Sequence, residues 1–460
     1  MTEDAETARE PTQLTVLDRL LQPVSRVRPG EGLVAALLLA CMFLILMSFY
    51  VMKTAREGMI LARGSFGLRG QELKTYATAG MALILCVLVP AYATVATRVR
   101  RIKLVDCSYF VVLASLGVFF VLDTLGLSIG VPFFVWIGLV NVFLVAQFWS
   151  YANDLYNEEQ GKRLFAIIAL GGALGGVVGP PIASIVPASA LLPIGAATLL
   201  PCIALFHVIE RIQARTPSGQ ARARAPVDGR GAFDLVLRDR YLLLIAALVF
   251  IGSLVKTTGE YVLSDAAAHR AIELVPATAH AELVGAARTH AIIQDRSEAI
   301  DHIYASFFFW VNLVSFLIQA LVVSRAIAKL GVRRALFVMP IVALGAYGLI
   351  AAIGGFALVR AAKVAENGTE YSLDNTVRQT LFLPTGRAAK YKAKAAIDTL
   401  AVRAGDSASA LLIWIAIHQI GMRGRGLAFV NVALVAAWLA IAAGLVHRHR
   451  ALRVIQEAPT

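Results

Sequence analysis

The sequence predicts an all-α polytopic membrane protein of twelve transmembrane helices in two pseudo-symmetric halves of six. Three observations predict it. Of 460 residues, 58% are hydrophobic and only 16% charged, with a mean hydropathy of +0.70. Soluble domains carry about 25% charged residues, so this chain cannot clothe two or more soluble domains, and it is too apolar to be disordered. Apolar runs of roughly 18–25 residues, enough to cross a ~30 Å hydrocarbon core as helices, recur along the whole length. Finally, motifs of the first half return in order in the second.

The runs lie at 33–52, 76–96, 105–127, 130–149, 164–186, 188–208, 241–262, 303–323, 335–353, 355–375, 396–417 and 427–446. Twelve crossings put both termini on one side. With the N-terminus cytoplasmic, 29 of the 43 Lys+Arg fall in inner loops and tails. Eight fall outside (Arg63, Arg69, Lys74, Arg270, Arg288, Arg296, Arg423, Arg425) and six within the spans. Positive residues favour the cytoplasmic side, so the +13 net charge is a topology signal and no nucleic-acid partner is expected. Residues 1–32 and 447–460 read as cytoplasmic tails rather than a cleaved leader. Bundles of six helices cover 33–209 and 241–446, the latter with an outer insertion at 265–302. The arginine-rich stretch 210–240, with Pro217, Gly219, Pro226 and Gly229, reads as a cytoplasmic linker. Cys41, Cys86, Cys107 and Cys202 sit in or beside spans without a CxxC pair and read as packing residues.

The end of the first run reads Lys53-Thr54-Ala55-Arg56-Glu57 and the seventh Lys256-Thr257-Thr258-Gly259-Glu260, both Lys-Thr-x-x-Glu and 203 residues apart. Ser150 and Asn153 at the end of the fourth run return as Ser372 and Asn375 at the end of the tenth, 222 apart. Parallel six-helix repeats mark transporters of the major facilitator type, which bind substrate near the midplane between the halves.

Charge inside a membrane is costly, about 2.5–3.5 kcal/mol at the centre on insertion scales, so it faces a cavity or a partner. Such residues here are Lys53, Arg56, Glu57, Lys256, Glu260, Arg360, Lys363, Glu366, Glu370, Asp398, Arg403 and Asp406. In the tenth run Arg360, Lys363, Asn367, Glu370 and Asp374 recur at three- to four-residue steps, a polar stripe on one helix face. A cavity-lining helix is expected; a solvated cytoplasmic amphipathic helix is the alternative. Lys53 and Lys256 could instead snorkel to an interface. Arg403 and Asp406, three apart, are expected to pair with each other. Six cations against six carboxylates suit a site that alternates between internal ion pairs and a bound anion. Tyr50 or Tyr261 could stack on a ring. The glycines of 171–179 form small-xxx-small registers for close helix approach; no strand precedes them, and Gly161-Lys162 lacks the flanking residues of a phosphate loop. His269, His280, His290 and His302, at spacings near 11, match no metal-ligand pattern, and neither metal nor cofactor is expected.

Four segments carry a resemblance: FYVMKTAREGMIL (49–61), QFWSYANDLYNEEQGKRLFAIIALGGALGG (147–176), KTTGEYVLS (256–264) and AENGTEYSLDNTVRQTLFLPTGRAAKYKAKAAID (365–398). Together they resemble the ATP/ADP translocase family of plastids and intracellular bacteria, and more closely its relatives in free-living bacteria, the NTP/NDP exchange transporters. That resemblance implies a facilitator-like fold of twelve helices and nucleotide exchange across the membrane without hydrolysis. It also guides the roles: Lys53, Arg56, Glu57, Lys256 and Glu260 lining the nucleotide site, with Asn153, Asp154, Lys363, Glu366, Asn367 and Asn375 lining or gating it. The chain departs from the better-known exchangers in its His-containing outer insertion and short central loop.

The expected function is secondary active exchange of ATP/ADP-type nucleotides or related organic phosphates by alternating access, in a bacterial inner membrane and by a monomer. The alternative is a proton-coupled transporter or exporter of another anionic metabolite, with Glu57, Glu260 or Glu370 titrating. A membrane-embedded enzyme such as a lipid transferase would need a catalytic constellation near an interface, and the inner loops show none.

Overall fold

A computed structural model describes residues 14–62, 67–96, 99, 101–156, 158–214, 236–382, 393–394, 397–422 and 424–457. Most of the linker (215–235), most of the basic connection after the tenth run, the outermost tails, Arg63 and Arg423 lie outside the described residues.

The described chain is helical: α1 (Val16–Leu21), α2 (Gly32–Leu61), α3 (Gly70–Ala96), α4 (Arg101–Thr124), α5 (Gly130–Leu155), α6 (Glu158–Ile185), α7 (Ala188–Ala214), α8 (Arg240–Leu274), α9 (Gly285–Leu317), α10 (Val323–Ala335), α11 (Val338–Ala352), α12 (Phe356–Thr369), α13 (Asn375–Leu381), α14 (Val402–Trp414) and α15 (Arg425–Glu457). Wider-wound π segments interrupt the second half, among them Ile318–Val322, Glu370–Asp374, Ile397–Ala401 and Ile415–Gln419. Among the described residues nine helices are long and apolar enough to cross a membrane, or ten if the α10–α11 pair, bent by 79°, counts as one span. The chain is a multi-pass membrane protein. The remaining two expected runs, 76–96 and 355–375, fall on α3 and on α12 with its π segment.

Two compact units make up the chain. One holds Met1–Ala55, Pro90–Ile129 and Trp136–Gln220; the other holds Arg56–Val89, Gly130–Val135 and Ala221–Thr460. In the first, α6 lies along α2. A Cβ at Gly171, Gly175 or Gly179 would overlap or crowd the carbonyl oxygens of Leu39, Phe43 and Met47 in turn. The glycine registers are therefore a packing device, as expected. Phe206 of α7 gathers Tyr109, Phe148 and Tyr151 at ring separations of 5.9, 6.3 and 4.8 Å. Outside the membrane, Thr15 and Asp18 form a capping box on α1, and Asp18 also accepts the backbone N–H of Gly32 at 2.8 Å. Burial works against ionising Asp18, but these donors prevail and hold its carboxyl below the usual range. Arg163 forks onto both Glu31 oxygens at 2.9 Å each, a geometry that suits guanidinium and carboxylate.

In the second unit α8 is the axis. Its buried positions run almost all round the helix, from Tyr241 to Ala271, because α12, α14 and α15 all pack on it. Hence the seventh run shows no polar face in sequence. The stretch 265–302, expected as an outer insertion, is largely helical: α8 runs on to Leu274, α9 starts at Gly285, and only 275–284 separates them. Continuing both helices satisfies backbone groups that a long excursion would leave to water.

Candidate functional site

The polar side chains of α8 and α12 meet inside the second unit. Lys363, with no solvent exposure, pairs with Glu366 at 2.7 Å and Glu260 at 3.5 Å. Asn367 donates to Glu260 at 3.0 Å, and the Tyr347 hydroxyl of α11 donates to Glu366 at 2.7 Å. Two carboxylates thus share one ammonium, and each has a second donor to offset burial. Space here demands glycine: a Cβ on Gly259 would overlap the Tyr347 hydroxyl and lie 3.1 Å from the Lys363 ammonium. Gly259→Ala is expected to displace Tyr347 from Glu366 and cost about 1–3 kcal/mol as an overpacking change. Thermal unfolding in detergent measures it, and Gly259→Ala melting like the native protein would contradict the geometry.

One turn from Gly259, Lys256 pairs with Glu370 at 2.8 Å and lies 5.0 Å from the Tyr371 ring centroid. This pair is the open one: the two side chains are 32% and 18% exposed. Glu370 begins the π segment that ends α12. The extra residue in that turn rotates the rest of the helix, and such bulges frequently mark functional sites. Asn367 and Asp374 are buried and Ala357, Ala361 and Ala365 exposed, so the polar stripe faces inward. The solvated amphipathic alternative does not hold.

A second cluster joins the ends of α2 and α3 to α8 and α9. Glu57, 1% exposed, pairs with Lys74 at 2.7 Å and with Arg56 at 3.3 Å. Lys74 donates to Ser264 at 3.0 Å and lies 4.9 Å from the Tyr304 ring centroid. Arg56 stacks on Phe134 at 4.3 Å. Lys74, expected in an outer loop, is buried in the first turns of α3. The signal was its position only two residues before an apolar run, where a lysine either snorkels or turns inward to a carboxylate. Ser264, Tyr304 and Tyr347 were missed as well. A hydroxyl in a membrane helix has no sequence signature until its partner across the interface is known.

Lys53 belongs to the first unit, 5.1 Å from the Tyr50 ring centroid. Asn153 and Asp154 are exposed at the end of α5, and Asn375 is exposed at the start of α13. Arg360 donates to Ser306 at 2.5 Å. Arg403 and Asp406 pair at 3.3 Å as expected, and Asp406 accepts Ser253 and Thr257 at 2.8 and 2.7 Å, which makes it a tie between α8 and α14.

Residues 348–449, which include α12 and its π segment, match the family described as TLC ATP/ADP transporter. The chain is 24% identical over 359 residues to ADP,ATP carrier protein 1 of Chlamydia pneumoniae, covering 66% of this chain and 64% of the carrier. It is 23% identical over 351 residues to the carrier of the same name from Chlamydia trachomatis, covering 66% and 62%. The chain thus spans just under two thirds of the length of these curated relatives. Among solved structures, a bacterial homologue of the iron transporter ferroportin superposes with a TM-score of 0.60 at 14% identity, over 91% of this chain and 99% of that one. The chain therefore shares the fold of that structure, and the resemblance to the ATP/ADP translocase family is borne out.

Proposed function

We propose that this relative of the ADP,ATP carriers is a secondary active transporter exchanging ATP/ADP-type nucleotides, or related organic phosphates, by alternating access. It would work as a monomer with twelve spans, both termini cytoplasmic, in a bacterial inner membrane. The observation that carries the reading is the Lys256–Glu370 pair. It is a charge pair placed deep in a membrane helix yet left partly open, and the second Glu370 oxygen is buried without a hydrogen-bond partner among the described residues. A phosphate oxygen is a stronger acceptor for an ammonium than a half-satisfied carboxylate, because charge-assisted bonds to a doubly charged group gain more. A phosphate arriving there displaces Glu370 from Lys256, and Glu370 returns when the site empties. The empty carrier is thereby kept neutral, and reorientation does not drag a bare charge across the bilayer. Lys363, closed in by two carboxylates, is the deeper cation that a longer phosphate chain would draw on.

The reading is tested by uptake of labelled ATP into proteoliposomes, with and without internal ADP, beside Lys256→Ala. Uptake that requires internal nucleotide and falls at least about tenfold in the variant supports exchange at this pair; tenfold corresponds to about 1.4 kcal/mol. If external nucleotide drives no flux and an imposed pH gradient drives that of another anion, the proton-coupled alternative replaces it. The two carboxylates sharing Lys363 favour that alternative.

A further inference from the structure

Asp301 of α9 is buried, at 5% exposure, whereas Glu57, Glu260, Glu366 and Glu370 of the clusters above each pair with a lysine. Its Oδ1 accepts the backbone N–H of Gly58 at 3.1 Å, a helical N–H at the end of α2. No lysine or arginine among the described residues pairs with it. The charged groups that face it are Glu57 across on α2 and Glu298 on its own helix, both carboxylates. Lys74 of the same cluster is committed to Glu57 at 2.7 Å, with Ser264 and Tyr304 around it, and Arg56 turns to Glu57 and Phe134. The seat is tight: a Cβ on Gly58 would overlap Asp301 Oδ1 and come within 2.7 Å of the Ser297 carbonyl and hydroxyl oxygens. Only glycine lets α2 settle this closely on α9.

An ionised carboxylate with no counter-cation and two like charges beside it is strongly disfavoured, because nothing repays its desolvation. The same group with a proton keeps the Gly58 bond and sheds the charge. We propose that Asp301 is a proton-binding site, occupied while the end of α2 is docked on α9. Undocking α2 lets water reach the carboxyl, and the proton leaves to that side; redocking requires one to return. Docking and protonation are thus one event. The consequence for flux rests on the transport reading above, whereas the protonation does not.

The experiment has two arms that can fail separately. The first is infrared difference spectroscopy of the purified native protein at neutral pH. A protonated-carboxyl C=O stretching band is expected, absent in Asp301→Asn, whose amide copies the neutral acid in shape. Gly58→Ala should also remove the band with Asp301 in place, by holding α2 off and admitting water. This second variant keeps the test sound even if Asp301→Asn folds poorly. A band unchanged in both variants overturns the proposal. The second arm follows nucleotide exchange against the pH on the side to which α2 opens. The native rate should fall by up to tenfold per pH unit once Asp301 deprotonates, the limit for one proton, while Asp301→Asn should be flat with pH. A band that vanishes as expected beside identical pH profiles overturns the coupling alone. Absence of any native exchange, with the band as expected, overturns the transport reading and leaves the proton site standing.

Discussion

Lys363→Met is expected to abolish exchange and to cost about 3–5 kcal/mol of stability, the range for removing one partner of a buried ion pair. The substitution keeps length and volume but leaves Glu260 and Glu366 facing each other across an apolar side chain. Before it, one ammonium sat 2.7 Å from Glu366 and 3.5 Å from Glu260. Afterwards Tyr347 and Asn367 are the donors left to them among the described residues, and neither carries charge. The double variant Lys363→Met, Glu366→Gln should recover part of the thermal stability, because it removes the more deeply buried of the two stranded carboxylates and leaves only Glu260, which is partly exposed. It should recover none of the transport, since the ammonium is then still missing. Stability is read from thermal unfolding in detergent and transport from proteoliposome uptake. Equal loss of stability in the single and double variants would contradict the pairing. Full transport in the single variant would remove Lys363 from the site.

Gly175→Leu is expected to be the most damaging change away from that site. The obstacle to a side chain there is the carbonyl oxygen of Phe43 in α2, which is backbone and cannot rotate aside. Either α6 moves off α2 along its length or α2 bends, and overpacking of this kind costs about 1–3 kcal/mol or more. Gly171 and Gly179 repeat the contact one turn to either side, so a shift at one point opens all three. Gly117→Ala on α4 is the matched control, because a Cβ there meets nothing within 4 Å. It should be neutral or slightly stabilising, since alanine is the better helix former. Monodisperse elution and melting of both variants like the native protein would show that helix proximity does not hold this unit together.

The difference between these two changes reflects what was legible in advance. Glycines at 171, 175 and 179 announce close approach in the sequence, because only small residues permit it and their spacing matches the helix repeat. The polar stripe of 360–374 was legible for the same reason, though its inward orientation was not: a stripe turned to water and one turned to a cavity have the same periodicity. The structure resolves this by burying Lys363, Glu366 and Asn367 and exposing Ala357 and Ala361. Echo and resemblance single out Asn153, Asp154 and Asn375, and the structure leaves all three exposed.

The sequence by itself determined that the chain is all-α, crosses the membrane repeatedly and places charge where charge is costly. Those properties depend on composition, run length and short-range spacing, which are local. Partnership was decided only by the tertiary structure. Nothing in the order of residues pairs Lys74 with Glu57, Lys256 with Glu370, or Tyr347 with Glu366, nor seats the Asp301 carboxyl on the backbone N–H of Gly58. These partners are brought together by the packing of helices remote in sequence. In a low-dielectric interior the energy of a charge is set chiefly by what lies within a few ångströms of it. Which lysine is open and which is closed is therefore a property of the packed helices rather than of the motifs that carry them.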